Sequence, residues 1–246
     1  MVTRPAHQAG RLEALVRGAG GNPILFPVIE IVATGNLPSL IALIDRLDEF
    51  DFAIFVSPNA VSMAMNLIKA RGPLPPHLRF AVTGASSVRE LGRYGIASVI
   101  APATRFDSEA LLELPALQDV GGKRVVIFRG DSGRELLGDT LIARGAAIEY
   151  AECYRRVKPQ LDAAPLLNAW ASNAVHAIIV TSSEGLHNLF DLVGEPGQAW
   201  LKKTPLFVPH TRIAKTARAL GLAAVVETAQ GDEGLVQGLT LWFAGR

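Results

Sequence analysis

Val125-Val126-Ile127-Phe128-Arg129-Gly130, a helical stretch closing on Arg144-Gly145-Ala146, and Ile148-Glu149-Tyr150-Ala151-Glu152-Cys153-Tyr154 follow one another as strand, helix and strand. Short apolar runs separated by segments of helical period are the signature of a parallel sheet covered by helices. The same series stands at the beginning of the chain. There Val2-Thr3-Arg4-Pro5 leads through a helix to Arg17-Gly18-Ala19 and into Ile24-Leu25-Phe26-Pro27-Val28-Ile29-Glu30-Ile31.

Two further segments recur in the same order. Ala53-Ile54-Phe55-Val56-Ser57-Pro58-Asn59-Ala60-Val61 is echoed by Ala177-Ile178-Ile179-Val180-Thr181-Ser182-Ser183-Glu184-Gly185. Phe80-Ala81-Val82-Thr83-Gly84-Ala85-Ser86-Ser87 pairs with Leu206-Phe207-Val208-Pro209-His210-Thr211-Arg212, and each leads through a helix to a glycine stop, Gly95 or Gly221. Each half then closes on a helix expected to be acid-capped, at Asp107-Ser108-Glu109 and at Asp232-Glu233. Self-similarity of this kind outranks local propensity in setting the fold. The fold class expected is α/β: two similar domains, each a parallel sheet flanked by helices. Ile24–Ala33 is long for a strand, whose typical length is about 5–6 residues, so it is expected to run on as the connection between domains. The repeat alone leaves open which segments share a sheet.

Composition narrows the function. Of 246 residues, 49 % are hydrophobic and 19 % charged, which suits a globular chain with a sizeable core. With 24 basic and 23 acidic residues, the net charge of +1 offers no global field for nucleic acid or a membrane surface. An anion site must therefore be built locally. Cys153 is the single cysteine, which excludes an intramolecular disulfide or a thiolate metal site. No apolar signal-peptide core follows Met1, and no apolar run reaches the ~20 residues that span a bilayer, so a cytoplasmic location is expected.

In open parallel sheets, ligands bind at the carboxyl ends of the strands. The turns there hold Arg4; Ser57 and Asn59; Gly84, Ser86 and Ser87; Arg129, Gly130 and Arg134; Thr181, Ser182 and Ser183; and Thr211. Each is expected to open a helix, whose first N–H groups lack partners and point towards the ligand position. Hydroxyls and amides on several such turns would receive several carboxylates; taken singly, each Ser or Thr is equally an ordinary N-cap. No G-x-G-x-x-G follows a strand, Gly121-Gly122-Lys123 precedes one, and the five histidines show no ligand spacing, so neither a nucleotide cofactor nor a metal is expected. Tyr154 ends an apolar run before Arg155-Arg156-Val157-Lys158-Pro159. It reads either as an anchor for a linker or as a phenol donating a hydrogen bond to a departing oxygen.

Thr3-Arg4-Pro5, Ser57-Pro58-Asn59-Ala60-Val61, Val82-Thr83-Gly84, Arg129-Gly130-x-x-Gly133-Arg134-Glu135-Leu136, Arg144-Gly145-Ala146 with Tyr154-Arg155-Arg156, and Val180-Thr181-Ser182 together resemble the uroporphyrinogen-III synthase family. The resemblance covers nearly the whole chain. It implies a flavodoxin-like pair of domains: residues 1–33 with 163–246, and residues 38–156 inserted between them, joined by extended linkers near 30–38 and 155–162. It implies a cofactor-independent lyase of tetrapyrrole biosynthesis (heme, siroheme, cobalamin) that cyclises hydroxymethylbilane in a cleft between the domains, expelling water and inverting the last ring. Tyr154 then matches the family's motif tyrosine, the group that assists the leaving hydroxyl. Ser57 and Ser87, with Thr181 and Ser182, match cleft-facing hydroxyls of the two domains. Many members have Thr where Ser87 stands, and the His210-Thr211-Arg212 turn varies across the family. The expected partners are the substrate and, transiently, the enzyme that supplies it; a monomer is expected. The rival reading is a non-catalytic two-domain binding or sensor protein for an anionic metabolite, although no helix-turn-helix pattern or basic arm accompanies it.

Overall fold

The computed structural model describes residues 1–245. In chain order, α1 spans Ala6–Gly18, β1 Glu30–Ala33, α2 Leu37–Ile44, β2 Phe52–Phe55, α3 Pro58–Lys69, β3 Arg79–Val82 and α4 Ala85–Arg93. Next come β4 Val99–Ile100, α5 Ser108–Leu112, β5 Arg124–Gly130, α6 Leu136–Ala143, β6 Ala147–Val157 and α7 Ala164–Ala171. The chain continues through β7 Ile178–Ile179, α8 Ser183–Leu192, α9 Gly194–Leu201, β8 Leu206–Val208, α10 Thr211–Ala219, β9 Val225–Glu227 and α11 Gly231–Ala244. It divides into two compact units: Ile31–Arg156, and Met1–Glu30 together with the chain from Val157 onward.

The contiguous unit is built on a six-stranded sheet ordered β1-β6-β5-β2-β3-β4. From β6 to β4, every neighbouring pair is parallel. Parallel strands are covered on both faces and so carry continuous apolar runs. All four residues of β2 are buried, and so are Val125–Gly130 of β5. Their side chains divide by the period of two. Ala53, Phe55, Val126 and Phe128 enter the core beneath α2, α3 and α4, whereas Phe52, Ile54, Val125 and Ile127 enter the core beneath α5 and α6. Phe128 stacks on Phe55 with ring centroids 4.6 Å apart, and Phe55 stacks in turn on Phe80 at 6.4 Å.

The other unit holds a three-stranded parallel sheet, β7-β8-β9. Val2 bridges Ile179 on one side and Leu25 on the other, both in parallel sense. Its order is therefore Leu25, Val2, β7, β8, β9, while the contiguous unit reads β6, β5, β2, β3, β4 beyond β1. The two repeats have exchanged their leading strand pairs: the chain's first pair joins the last three strands, and β5 and β6 join β2, β3 and β4. Val2, Ala9, Leu12, Ile179, Phe207 and Leu235 form the core that this exchange creates in the discontinuous unit.

Three local expectations change. The long strand from Ile24 is interrupted. Val2, Phe26 and Val28 amides bond across to Ile24, Val2 and Thr3 carbonyls, and regular strand resumes only at Glu30. Pro27 lies between the two donating amides of Phe26 and Val28, at a position that lends this pairing no N–H, where a proline is tolerated. Asp107 does cap its helix, accepting from the Ala110 amide at 2.7 Å, but α11 begins behind Gln230 without a side-chain cap, and Asp232 turns instead to Arg4 at 2.6 Å. The turn after β5 does not open a helix directly. Residues 131–135 form an exposed loop, with Gly133 at φ 146°, before α6 starts at Leu136.

The stacked aromatic layer should dominate stability. Phe128→Ala is expected to cost about 3–5 kcal/mol through lost burial and the cavity left behind. Leu241→Ala, at a position 67 % exposed, should stay within about 0.5 kcal/mol of the parent. Urea midpoints of the two variants, taken with their slopes, check the contrast.

Candidate functional site

Ser57 follows β2 and stands in extended conformation as the N-cap of α3, with Pro58 in the first turn of the helix. Its Oγ accepts the Ala60 amide at 3.1 Å and lies 3.0 Å from the Tyr154 hydroxyl. A serine hydroxyl has two acceptor sites and one proton, so the cap leaves its proton free for a second bond.

Tyr154 reaches Ser57 because of an irregularity in β6. The β5–β6 register runs from Arg124 opposite Ala147 to Arg129 opposite Glu152, then shifts so that Gly130 faces Tyr154. Cys153 is the extra residue. A bulge of this kind re-aims the side chain that follows it. Ala151 and Cys153 share a face by ordinary alternation, and the bulge brings Tyr154 into the same core, where it is 2 % exposed. The ring lies against Gly130, where an added Cβ would sit 2.9 Å from two ring carbons. The Asp131 amide holds the Tyr154 carbonyl at 3.0 Å, and the Arg156 guanidinium carbon stands 5.9 Å from the ring centroid. Cys153 itself is inert by burial, which pushes its thiol up to about 12.

The neighbouring turns differ in how available they are. Thr83 Oγ1 donates to the Val56 carbonyl at 3.1 Å and so ties the turn after β3 to the turn after β2. Gly84 is the N-cap residue of α4, with the Phe106 side chain 3.3 Å from where a Cβ would be. Ser86 is exposed and accepts from Arg89, whereas Ser87 and Asn59 are buried within the first turns of their helices.

Arg129, at the end of β5, has a side chain only 10 % exposed. Its Nη1 donates to both carboxylate oxygens of Glu135, at 3.0 and 3.2 Å, and its guanidinium carbon lies 5.0 Å above the Tyr150 ring. The Tyr150 hydroxyl also donates to Glu135. That bond and the Arg129 charge hold the Glu135 carboxyl below the usual range, while burial and then Glu135 push the Tyr150 hydroxyl up. Arg134 makes a bidentate pair with Glu109 at 2.6 and 3.0 Å. From sequence, Tyr150 and Glu135 carry no role in a site, and Glu109 only a place in the acid cap of α5. Glu135 lies inside the Arg-Gly-x-x-Gly-Arg-Glu run, but an acidic residue did not fit a search for anion receptors.

In the discontinuous unit, Ser182 caps α8 by accepting the Gly185 amide at 2.9 Å, and the Ser183 hydroxyl accepts from Thr216 at 3.2 Å. Thr181 is half-buried beside them. Arg4 is paired with Asp232. Thr211 is exposed and bonds Glu227, which Thr211 and Arg218 together hold below the usual carboxylate range. The His210 ring caps α10, accepting from the Arg212 amide at 3.1 Å. Among the described residues no cluster of His, Cys, Asp and Glu could hold a metal ion, and no helix is long and apolar enough to cross a membrane.

The family described as uroporphyrinogen-III synthase HemD matches residues 10–237. Uroporphyrinogen-III synthase of Salmonella typhimurium is 36 % identical over 225 residues, covering 90 % of this chain and 91 % of the relative. The Escherichia coli enzyme of that name is 36 % identical over 224 residues with the same coverage. Among solved structures, a mutant uroporphyrinogen III synthase of Thermus thermophilus aligns with 100 % of this chain and 98 % of its own, at a TM-score of 0.63 and 19 % identity. The Helicobacter pylori uroporphyrinogen-III synthetase aligns with 90 % of this chain and 92 % of its own, at 0.60 and 15 %. These two show the shared fold. The chain belongs to the uroporphyrinogen-III synthase family.

The contact between Gly130 and Tyr154 can be tested on its own. Gly130→Ala should force the ring aside and destabilise the protein by about 1–3 kcal/mol, the usual cost of overpacking. In a Tyr154→Ala background the same change should cost much less, because the clashing ring is gone. A double-mutant cycle on denaturation midpoints measures the coupling; independent, additive effects would contradict the contact.

Proposed function

We propose that this member of the uroporphyrinogen-III synthase family is a cofactor-independent lyase that cyclises hydroxymethylbilane to uroporphyrinogen III. The Ser57–Tyr154 hydroxyl pair, set at the carboxyl end of the sheet, carries the proposal. The hydroxymethyl oxygen of the substrate departs poorly as hydroxide and readily as water, so a donor aimed at it acts mainly in the transition state. Ser57 accepts the Ala60 amide and donates its own proton to the Tyr154 oxygen, which leaves the phenolic proton for the departing group. Loss of water leaves an electrophilic azafulvene. The substituted carbon of the last ring attacks it to give a spiro intermediate, which reopens and recloses with that ring inverted. Because the linear substrate closes unaided to the wrong isomer, the protein's main task is to impose geometry.

The remaining turns fit a substrate with eight carboxylates. Capped helix starts at Ser57 and Ser182, the N-terminus of α4 behind Gly84, and Arg129 with Arg134 supply donors, each on the carboxyl side of a strand. Residues 1–33 with 163–246, and residues 38–156, are taken as flavodoxin-like domains with linkers near 30–38 and 155–162. The strand order, which in each unit reads 2-1-3-4-5 once the exchanged pair is counted first, supports that reading. The chain acts as a cytoplasmic monomer that receives its substrate in passing from the enzyme that makes it.

Tyr154→Phe should keep the fold yet slow formation of the type III isomer by roughly 10²–10⁴-fold, the range of general acid assistance. More substrate should then be lost to spontaneous type I closure. A tyrosine that only anchors the chain gives the opposite pattern, a lowered melting temperature with near-normal specific activity. Initial rates, the type III to type I ratio and Tm of the one variant separate the two. Ser57→Thr, which keeps both cap and hydroxyl, should retain activity, whereas Ser57→Ala should lose about 0.5–2 kcal/mol of stability and a share of the rate.

A further inference from the structure

The guanidinium of Arg129 is nine-tenths buried, and its acidic partner is not. Glu135 has a side chain 56 % exposed, reaching in from the surface to both Arg129 and the Tyr150 hydroxyl. A buried cation needs a partner, because leaving it alone costs several kcal/mol. The partner itself need not be buried, since desolvating a second charge adds its own cost. Here the carboxylate is the one removable part of the arrangement. Glu135 also stands at the start of α6 without making a capping bond, so the helix does not depend on it.

The fixed part is built closely. Any side chain at Gly138 would collide with the Tyr150 hydroxyl, and a Cβ at Gly133, which sits at positive φ, would lie 3.2 Å from Arg129 Nη2. Both glycines leave the Arg129–Tyr150 pair open to one carboxylate. Beside it lies a cavity of about 100 Å³ floored by Val56, Ile127 and Leu137. A single water needs about 10–15 Å³ by this measure, so the space admits several waters or a small polar group in their place. At its lip Arg134 is likewise paired with an exposed carboxylate, Glu109, at 41 %.

We propose that Arg129 and the Tyr150 hydroxyl form a carboxylate-binding subsite that Glu135 fills in the free protein and yields to a substrate carboxylate. The exchange keeps Arg129 paired throughout. It returns to water a Glu135 carboxylate that is already more than half exposed. Glu135 is thus an internal competitor that lowers affinity for substrate and product alike. The inference takes from the preceding reading that the substrate is a polycarboxylate.

The test measures binding of uroporphyrinogen III, under anaerobic reducing conditions, to the parent protein, Glu135→Gln and Arg129→Lys by calorimetry. Type III formation by the parent is assayed alongside. Removing the competing charge should tighten product binding about fivefold in Glu135→Gln, and Arg129→Lys should weaken it by at least as much. Should Glu135→Gln fold poorly, Glu135→Asp, still anionic but a methylene short of Arg129, carries the same expectation. Binding by the Glu135 variants that equals or falls below the parent's overturns the subsite, provided the parent makes type III product. A parent that makes none overturns the functional reading instead.

Discussion

The parallel register between β2 and β5 is the constraint on which the site depends. Phe55 faces Phe128, and two residues further along, that register sets Ser57 level with Gly130. The stacked rings of Phe55 and Phe128, 4.6 Å apart, lock it from below. Slipping the pairing by one residue would turn Ala53 and Phe55 towards the opposite core and carry Ser57 away from Tyr154. Apolar packing therefore sets the distance between two hydroxyls.

Polar groups at this end of the sheet are placed by what they cannot avoid. Ser57 must cap α3, Arg129 must find a negative partner, and Gly130 must lack a side chain for Tyr154 to lie where it does. Each requirement is local and structural, yet together they set the hydroxyl pair against the core beneath α2, α3 and α4 and the Arg129 guanidinium beside Ile127 and Leu137 on the other face. The same turns thus serve as helix starts and as donors, and a serine that caps a helix keeps a proton to spend on a neighbour.

Much of this was legible in the sequence. The repeated strand–helix–strand series announced parallel sheets, and the residues after each strand announced where donors would gather. The repeat alone did not show the exchange of leading strand pairs, because Val2 and Val125 are equally suitable neighbours for Ile179 or Ala53 when only hydropathy is read; only the family resemblance implied it. The bulge was not legible. Alternation puts Cys153 and Tyr154 on opposite faces, and a single extra residue, invisible to composition, brings them to the same one. Burial was not legible either: Ser86 and Ser87 read alike after the strand, yet Ser86 is exposed and Ser87, the third residue of α4, is turned inward. Glu135 carries no donor and so does not read as part of an anion receptor, yet a buried arginine requires an acid of its own.

The exchanged strand pair also orders the birth of the protein. Residues 31–156 are contiguous and hold every strand from β2 to β6, so this unit closes as soon as they have left the ribosome. Val2 and Leu25 are made before that unit, but the strand that Val2 must join, β7 at Ile178–Ile179, is made only after it. At synthesis rates of about 5–20 residues per second, the opening segment waits on the order of ten seconds with its apolar edge unpaired. During that interval a nascent chain carries one finished unit and a strand pair, Val2 with Leu25, whose other edge still waits for β7.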